Sequence, residues 1–173
     1  QEVQPTSYQD GKDTIGSNGG QVSNDLFTRV IIQEGDAAVD YNFGELRLSS
    51  ISGYVNVDSD GNCIADSPGD VPIAGITMQL LDSNGNVLQT TTTDSNGFYK
   101  FSELLPGTYS VRQIQPDDYF TSGEMAGHLD GHTNVTSGTA SENLISNIQI
   151  KSNFNMVQYN FCEQAGAEIA GRV

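Results

Sequence analysis

Apolar and polar residues alternate along this chain in short runs, and no run settles into a helical period. Residues 51–57 read Ile-Ser-Gly-Tyr-Val-Asn-Val. Alternation over four to eight residues is the pattern of a half-buried strand. Comparable runs fall at 75–82, 86–93, 97–102, 108–115, 143–150 and 155–162. Turn residues separate them: Ser83-Asn84-Gly85, Asp94-Ser95-Asn96-Gly97 and Pro106-Gly107. No stretch of a dozen residues combines helical spacing with capping residues. Seven strands with one apolar face each need a second layer to cover that face. The pattern therefore predicts an all-β sandwich rather than an open sheet.

The pattern also repeats. Tyr41-Asn42-Phe43-Gly44-Glu45 recurs as Tyr159-Asn160-Phe161-Cys162-Glu163, a shift of 118 residues. The same shift carries Ser23–Leu26 onto Ser141–Leu144, and Ile51, Gly53 and Val55 onto Ile169, Gly171 and Val173. The expected organisation is the C-terminal part of one repeat at 1–46, a complete repeat at 47–164, and the first strand of a third at 165–173. Such units, stacked end to end, make a tandem array. Residues 1–46 show only two good strands, near 25–33 and 37–46. A lone hairpin is marginal in water, so this part calls for strands from upstream or from a neighbouring copy.

Charge narrows the chemistry. The 22 acids and 7 bases leave a formal net charge of -15. That argues against nucleic acid and anionic membranes as partners, because both select basic patches. It favours cation binding. No apolar run approaches a membrane span. The chain begins at Gln1, which suggests a processed product or a cut-out of something longer. No nucleophile elbow, phosphate loop or Cys-His pair is present, so an enzyme is not expected.

The acids gather most tightly between the first two strands, in Asp58-Ser59-Asp60-Gly61-Asn62-Cys63-Ile64-Ala65-Asp66-Ser67-Pro68-Gly69-Asp70. Alternate oxygen donors at Asp58, Asp60 and Asn62 let a tight loop turn three oxygens toward one centre. A calcium ion takes six to eight such oxygens. Counted from Asp58, the loop supplies the first, third, fifth and ninth EF-hand positions, with the Ile64 backbone carbonyl at the seventh. It then departs from that frame, since Cys63 and Gly69 stand where Gly and Glu are usual, and Asp70 comes one residue late. The candidate ligands are Asp58, Asp60, Asn62, Ile64, Asp66 and Asp70, and the candidate ion is Ca2+. The same residues also suit a solvated Asx-rich turn.

Several spaced motifs now agree in order. Ser52-Gly53-Tyr54-Val55, the acidic loop, and Val71-Pro72-Ile73-Ala74-Gly75-Ile76 resemble the opening of the B-type repeats of bacterial surface adhesins, the serine-aspartate-repeat and collagen-adhesin B-like domains. Thr93-Asp94-Ser95-Asn96-Gly97-Phe98-Tyr99 and Leu105-Pro106-Gly107-Thr108-Tyr109 resemble the remainder. The resemblance implies a seven-stranded immunoglobulin-like or prealbumin-like sandwich in tandem repeat. It implies calcium in the loop after the first strand, with Asp58, Asp60, Asn62 and Asp66 on the family's acidic positions. It further implies an extracellular protein, at the bacterial surface or secreted, in which the module serves as a stalk, filament or surface-layer element beside neighbouring repeats or copies of the same protein. An alternative is an adhesive module that binds a host protein or glycan through a loop near 117–140. Another is an accessory domain of a secreted enzyme. Some relatives carry a Lys–Asn crosslink, but Lys12, Lys100 and Lys151 all lie outside the first strand, where that lysine belongs.

Cys63 and Cys162 are the only cysteines. In a seven-strand domain whose strands mostly alternate direction, the first and last run the same way. The loop after the first strand then meets the end of the last. A Cys63–Cys162 disulfide is expected, pinning the acidic loop to the exit strand.

Overall fold

The computed structural model describes residues 1–65 and 69–166. Among them the chain is all strand and turn, with no helix. It divides into two compact units, Gln1–Leu48 and Ser49–Val173.

The first unit holds β1 (Tyr8–Asp10), β2 (Gln21–Ser23), β3 (Leu26–Thr28) and β4 (Glu45–Arg47). β1 pairs antiparallel with β4, and β2 with β3. No residue of this unit is fully buried. Its apolar contact centres on Phe27, whose ring lies 5.3 Å from Tyr41 and 4.5 Å from Phe43. The two long strands expected near 25–33 and 37–46 are each cut to three residues. Arg29 and Asp40 sit at φ 55° and 63°, in the left-handed region. A left-handed residue breaks the pleat, whatever the alternation around it.

The second unit runs through β5 (Ser49–Val57), β6 (Val71–Pro72), β7 (Thr77–Leu81), β8 (Val87–Thr92), β9 (Phe98–Leu104), β10 (Gly107–Gln113), β11 (Tyr119–Met125), β12 (His128–Leu129), β13 (His132–Thr136), β14 (Thr139–Ser141), β15 (Leu144–Ile150), β16 (Asn155–Val157) and β17 (Asn160–Ala165). One sheet has the order β14-β15-β10-β7-β8. The other has β11-β17-β5-β16-β12-β13, with β6 and β9 also paired to β5. Met78, Leu80, Val111, Ile145 and Ile148 of the first sheet pack with Ile51, Val55, Tyr99, Phe101 and Phe161 of the second in one buried cluster. Each such side chain contributes roughly 1.5–3 kcal/mol on burial.

β5 is the spine of this unit, and it is buried over most of its length. β16 and β17 run parallel to it, β6 and β9 antiparallel. The direction of β17 is the one the disulfide expectation required. Gly53 lies where β5 meets the chain at Tyr159. A Cβ built there falls 1.8 Å from the Tyr159 carbonyl oxygen, which also accepts a hydrogen bond from the Tyr99 hydroxyl at 2.6 Å.

Residues 117–140, expected as a connecting loop, carry strands instead: β11, β12, β13 and the start of β14. Their composition hides them. β11 reads Tyr-Phe-Thr-Ser-Gly-Glu-Met and among the described residues pairs only with β17, while every residue of β13 is exposed. Strands at a sheet margin need little apolar alternation, because little of their surface leaves water.

The internal repeat extends to register. Tyr8↔Arg47 and Asp10↔Glu45 in β1/β4 match Tyr119↔Ala165 and Thr121↔Glu163 in β11/β17. Ser23↔Leu26 matches Ser141↔Leu144. The Tyr41 hydroxyl donates to the Gly19 carbonyl at 2.8 Å, and the Tyr159 hydroxyl to Ser137 at 2.7 Å. The first unit thus reproduces, in smaller form, the second half of the other.

Gly53→Ala should destabilise the second unit by at least ~2 kcal/mol, since backbone rather than a flexible side chain occupies the space. Chemical denaturation of the variant beside the parent chain measures this.

Candidate metal-binding loop

The acidic loop leaves the end of β5, where the Asp58 amide donates to the Glu163 carbonyl of β17 at 3.0 Å. From there each acidic or amide side chain caps the backbone ahead of it. Asp58 accepts from the amides of Gly61 at 2.9 Å and Cys63 at 3.1 Å. Asp60 accepts from the Asn62 amide at 3.1 Å. The Asn62 side-chain oxygen accepts from the Ile64 amide at 2.6 Å. Asp70 closes the loop by accepting from the Ser59 amide and hydroxyl, both at 3.0 Å. These are Asx turns in series, the local geometry that Asp and Asn favour. Gly61 at φ 81° and Cys63 at φ 58° supply the left-handed bends.

The turns bring Asp58, Asp60 and Asp70 together, with a carboxylate oxygen from each within 4.8 Å of the others. Asp58 is buried. Like charges at that separation repel by about 1 kcal/mol per pair even at the screening of bulk water, and by more where water is excluded. Asn62 meets the group through its nitrogen, which donates to Asp60 at 2.9 Å. Its oxygen reaches a metal only if the amide turns over. Ile64 lies within the same turn, with its amide held by Asn62. Asp66 lies outside the described residues.

Sequence reasoning missed Asn56. Its side chain is 1 % exposed, and its Oδ1 is buried without a hydrogen bond. Asn56 pairs with Cys162 across β5 and β17, on the sheet face that the disulfide crosses. It lies two residues before Asp58, near the end of β5 where the acidic loop begins. A buried oxygen without a donor costs about 1–3 kcal/mol. An Asn between Val55 and Val57, inside a strand pattern, was the available signal. The three loop carboxylates supply the hard oxygen donors that suit a hard divalent cation.

Cys63 and Cys162 are joined, with Cα atoms 5.5 Å apart and 99 residues between them in sequence. The bond fastens the middle of the acidic loop to the last strand. The other acidic turns are spoken for locally. Asp82 accepts from the amides of Asn84 and Asn86 and from the Asn86 side chain, and these bonds, led by Asn86, hold its carboxyl below the usual range. Asp94 accepts from Asn96 and Phe98. The first closes the β7–β8 hairpin, whereas the second, expected as a hairpin turn, carries the chain from β8 in one sheet to β9 in the other. His128 and His132 sit in the β12–β13 hairpin.

A two-sheet sandwich with an acidic loop bolted between its first and last strands, preceded by a smaller unit that echoes its second half, is a repeat-type β-sandwich module. The family of SdrD B-like domains matches residues 49–160, and the chain belongs to it. Serine-aspartate repeat-containing protein I of Staphylococcus saprophyticus is 40% identical over 108 residues, which cover 61% of this chain and 6% of that protein. Serine-aspartate repeat-containing protein D of Staphylococcus aureus (strain Newman) is 34% identical over 158 residues, covering 90% of this chain and 12% of that protein. The chain therefore spans about an eighth or less of the length of these relatives. Among solved structures, the Bacillus anthracis TIE protein overlays 72% of this chain and 22% of its own, with a TM-score of 0.41 and 13% identity, too loose a likeness to build on. Among the described residues no helix is long and apolar enough to cross a membrane.

Replacing Cys63 and Cys162 together by Ser should lower the unfolding free energy by about 2–5 kcal/mol, the range for loss of a bond closing a loop of this length. Denaturant melts with and without reductant should then coincide for the variant and differ for the parent.

Proposed function

We propose that this chain is a segment of an extracellular tandem-repeat protein, in which the second unit is a load-bearing sandwich rigidified by calcium. The observation that carries the reading is the convergence of Asp58, Asp60 and Asp70 at the pole where Cys63 is bonded to Cys162. Calcium there would be held by those three carboxylates, with Asn62, the Ile64 carbonyl, Asp66 and the orphaned Asn56 oxygen as further donors. The ion supplies positive charge, and its work is mechanical. It removes the repulsion among the acids and fixes the loop against β5 and β17. The disulfide fastens the same loop covalently, so the two devices act on one joint.

The relatives support the setting. Their printed names describe serine-aspartate repeat-containing proteins of staphylococci. Residues 1–46 fit the C-terminal part of a preceding repeat, 47–164 a whole one, and 165–173 the start of a third; residues 167–173 lie outside the described residues. The whole protein would then be a stalk, filament or surface-layer element, with neighbouring repeats or further copies as its partners.

Calcium at about a hundred times its Kd should stabilise the second unit by ~2.7 kcal/mol and raise its Tm by about 5–10 °C over an EDTA control. Asp58→Asn with Asp60→Asn should abolish most of that rise in scanning calorimetry. A second-unit transition with the same calcium shift in parent and variant contradicts the reading.

A further inference from the structure

The first unit carries the same two sheet fragments as the second half of the other, and each fragment stops at the same place. β2 and β3 correspond to β14 and β15, and β1 and β4 to β11 and β17. The bridge Thr14↔Asn42 answers to Met125↔Asn160. The close approach of Gly16 to the Val39 carbonyl answers to that of Gly127 to the Val157 carbonyl. In the second unit β15 has β10 on its other side, and β17 has β5. Among the described residues β3 pairs only with β2, and β4 only with β1. Two strand edges are therefore open, and their counterparts are the edges that β10 and β5 occupy.

The side chains on these fragments are uncovered to match. Phe27, Val30, Ile32 and Phe43 stand where the second unit has Ile145, Ile148, Ile150 and Phe161. Those four are at most 4% exposed and pack in the cluster with Met78, Leu80 and Val111. Of their counterparts, Phe27, Val30 and Phe43 are only half-buried, and Ile32 is 63% exposed. Strand length follows the same division. Arg29 and Asn147 hold the same left-handed backbone, at φ 55° and 58°. β15 absorbs it as a bulge and runs on to Ile150, because β10 pairs with it on both sides of the irregularity, Val111↔Ile145 before and Tyr109↔Ile148 after. β3 has no such neighbour and ends at Thr28.

The chain already lies along the path of β10. Gln1-Glu2-Val3-Gln4-Pro5, followed by Tyr8, matches Arg112-Gln113-Ile114-Gln115-Pro116, followed by Tyr119. The Glu2 amide donates to the Asp25 carbonyl at 2.9 Å, as the Gln113 amide does to the Asn143 carbonyl at 3.0 Å. A strand in the β10 position would lead straight into Gln1.

We propose that the open face of the first unit is a docking surface for the front half of a repeat, a segment with the pattern of Ser49–Val111 joined to Gln1. One of its strands takes the place of β10 against residues 26–32 and covers Phe27, Val30 and Ile32. Another takes the place of β5, parallel to β4, and covers Phe43. Main-chain hydrogen bonds along both edges hold the segment, and its alternate apolar side chains select it. A second copy of this chain is not the occupant, since its own Ser49–Gln113 is built into the core of its own second unit. The proposal rests on the reading of residues 1–46 as the end of a preceding repeat, and it names what completes that repeat and in which register.

The test extends the full chain with a second copy of residues 49–111 ahead of Gln1, so that Gln1 takes the place of Arg112. Hydrogen exchange of the amides at 26–32 should slow by about a hundredfold or more relative to the parent chain, and Ile32→Ser in the extended chain should remove most of that protection. If the added segment gains protection of its own while residues 26–32 exchange as in the parent, the proposal is overturned. The calcium shift of the second unit, read separately, then still decides the reading above. If the extension does not fold, the parent decides: it should bind the apolar dye anilinonaphthalene sulfonate, and Ile32→Ser should cut that binding by about twofold or more. Dye binding unchanged by Ile32→Ser overturns the proposal.

Discussion

Carboxylates crowded within 4.8 Å of one another set the terms for this molecule. The repulsion is not incidental to the fold. Asp58, Asp60 and Asp70 are drawn together by the Asx turns that give the loop its path, so the loop cannot take this shape without concentrating charge. With a formal net charge of -15, the chain has few bases to offset that cost. On the proposed reading, a doubly charged ion would turn the loop's cluster from a burden into a joint.

The placement of the loop gives the joint its consequence. β5 and β17 lie side by side and parallel, and the loop follows the first of them. Whatever stiffens the loop therefore couples the entry of the repeat to its exit. The Cys63–Cys162 bond makes one such coupling, and the acids are positioned for another. A rigid connection between the two ends is what an array of modules needs to transmit force without bending at each unit.

Much of the second unit could be read from sequence because its strands face a core. The runs at 75–82 and 143–150 became β7 and β15, whose Met78, Leu80, Ile145 and Ile148 are buried. The disulfide followed from strand direction alone. What escaped has a common cause: the missing signals were not hydrophobic. β11 and β13 pair at the margin of a sheet with polar side chains. Asn56 looked like a strand residue, because an orphaned oxygen leaves no mark on alternation. In the first unit, Arg29 and Asp40 turn the chain where the apolar pattern runs on. The acid cluster there joins Glu2, Asp25 and Glu45, residues that lie far apart in sequence.

The account stands most directly on where cations sit. Anomalous scattering from crystals of the chain grown with calcium, or with a lanthanide in its place, locates them. The account predicts an ion between Asp58, Asp60 and Asp70, bound by oxygen on every side. Those three carboxylates turned apart into solvent at saturating calcium, with only water between them, would contradict it.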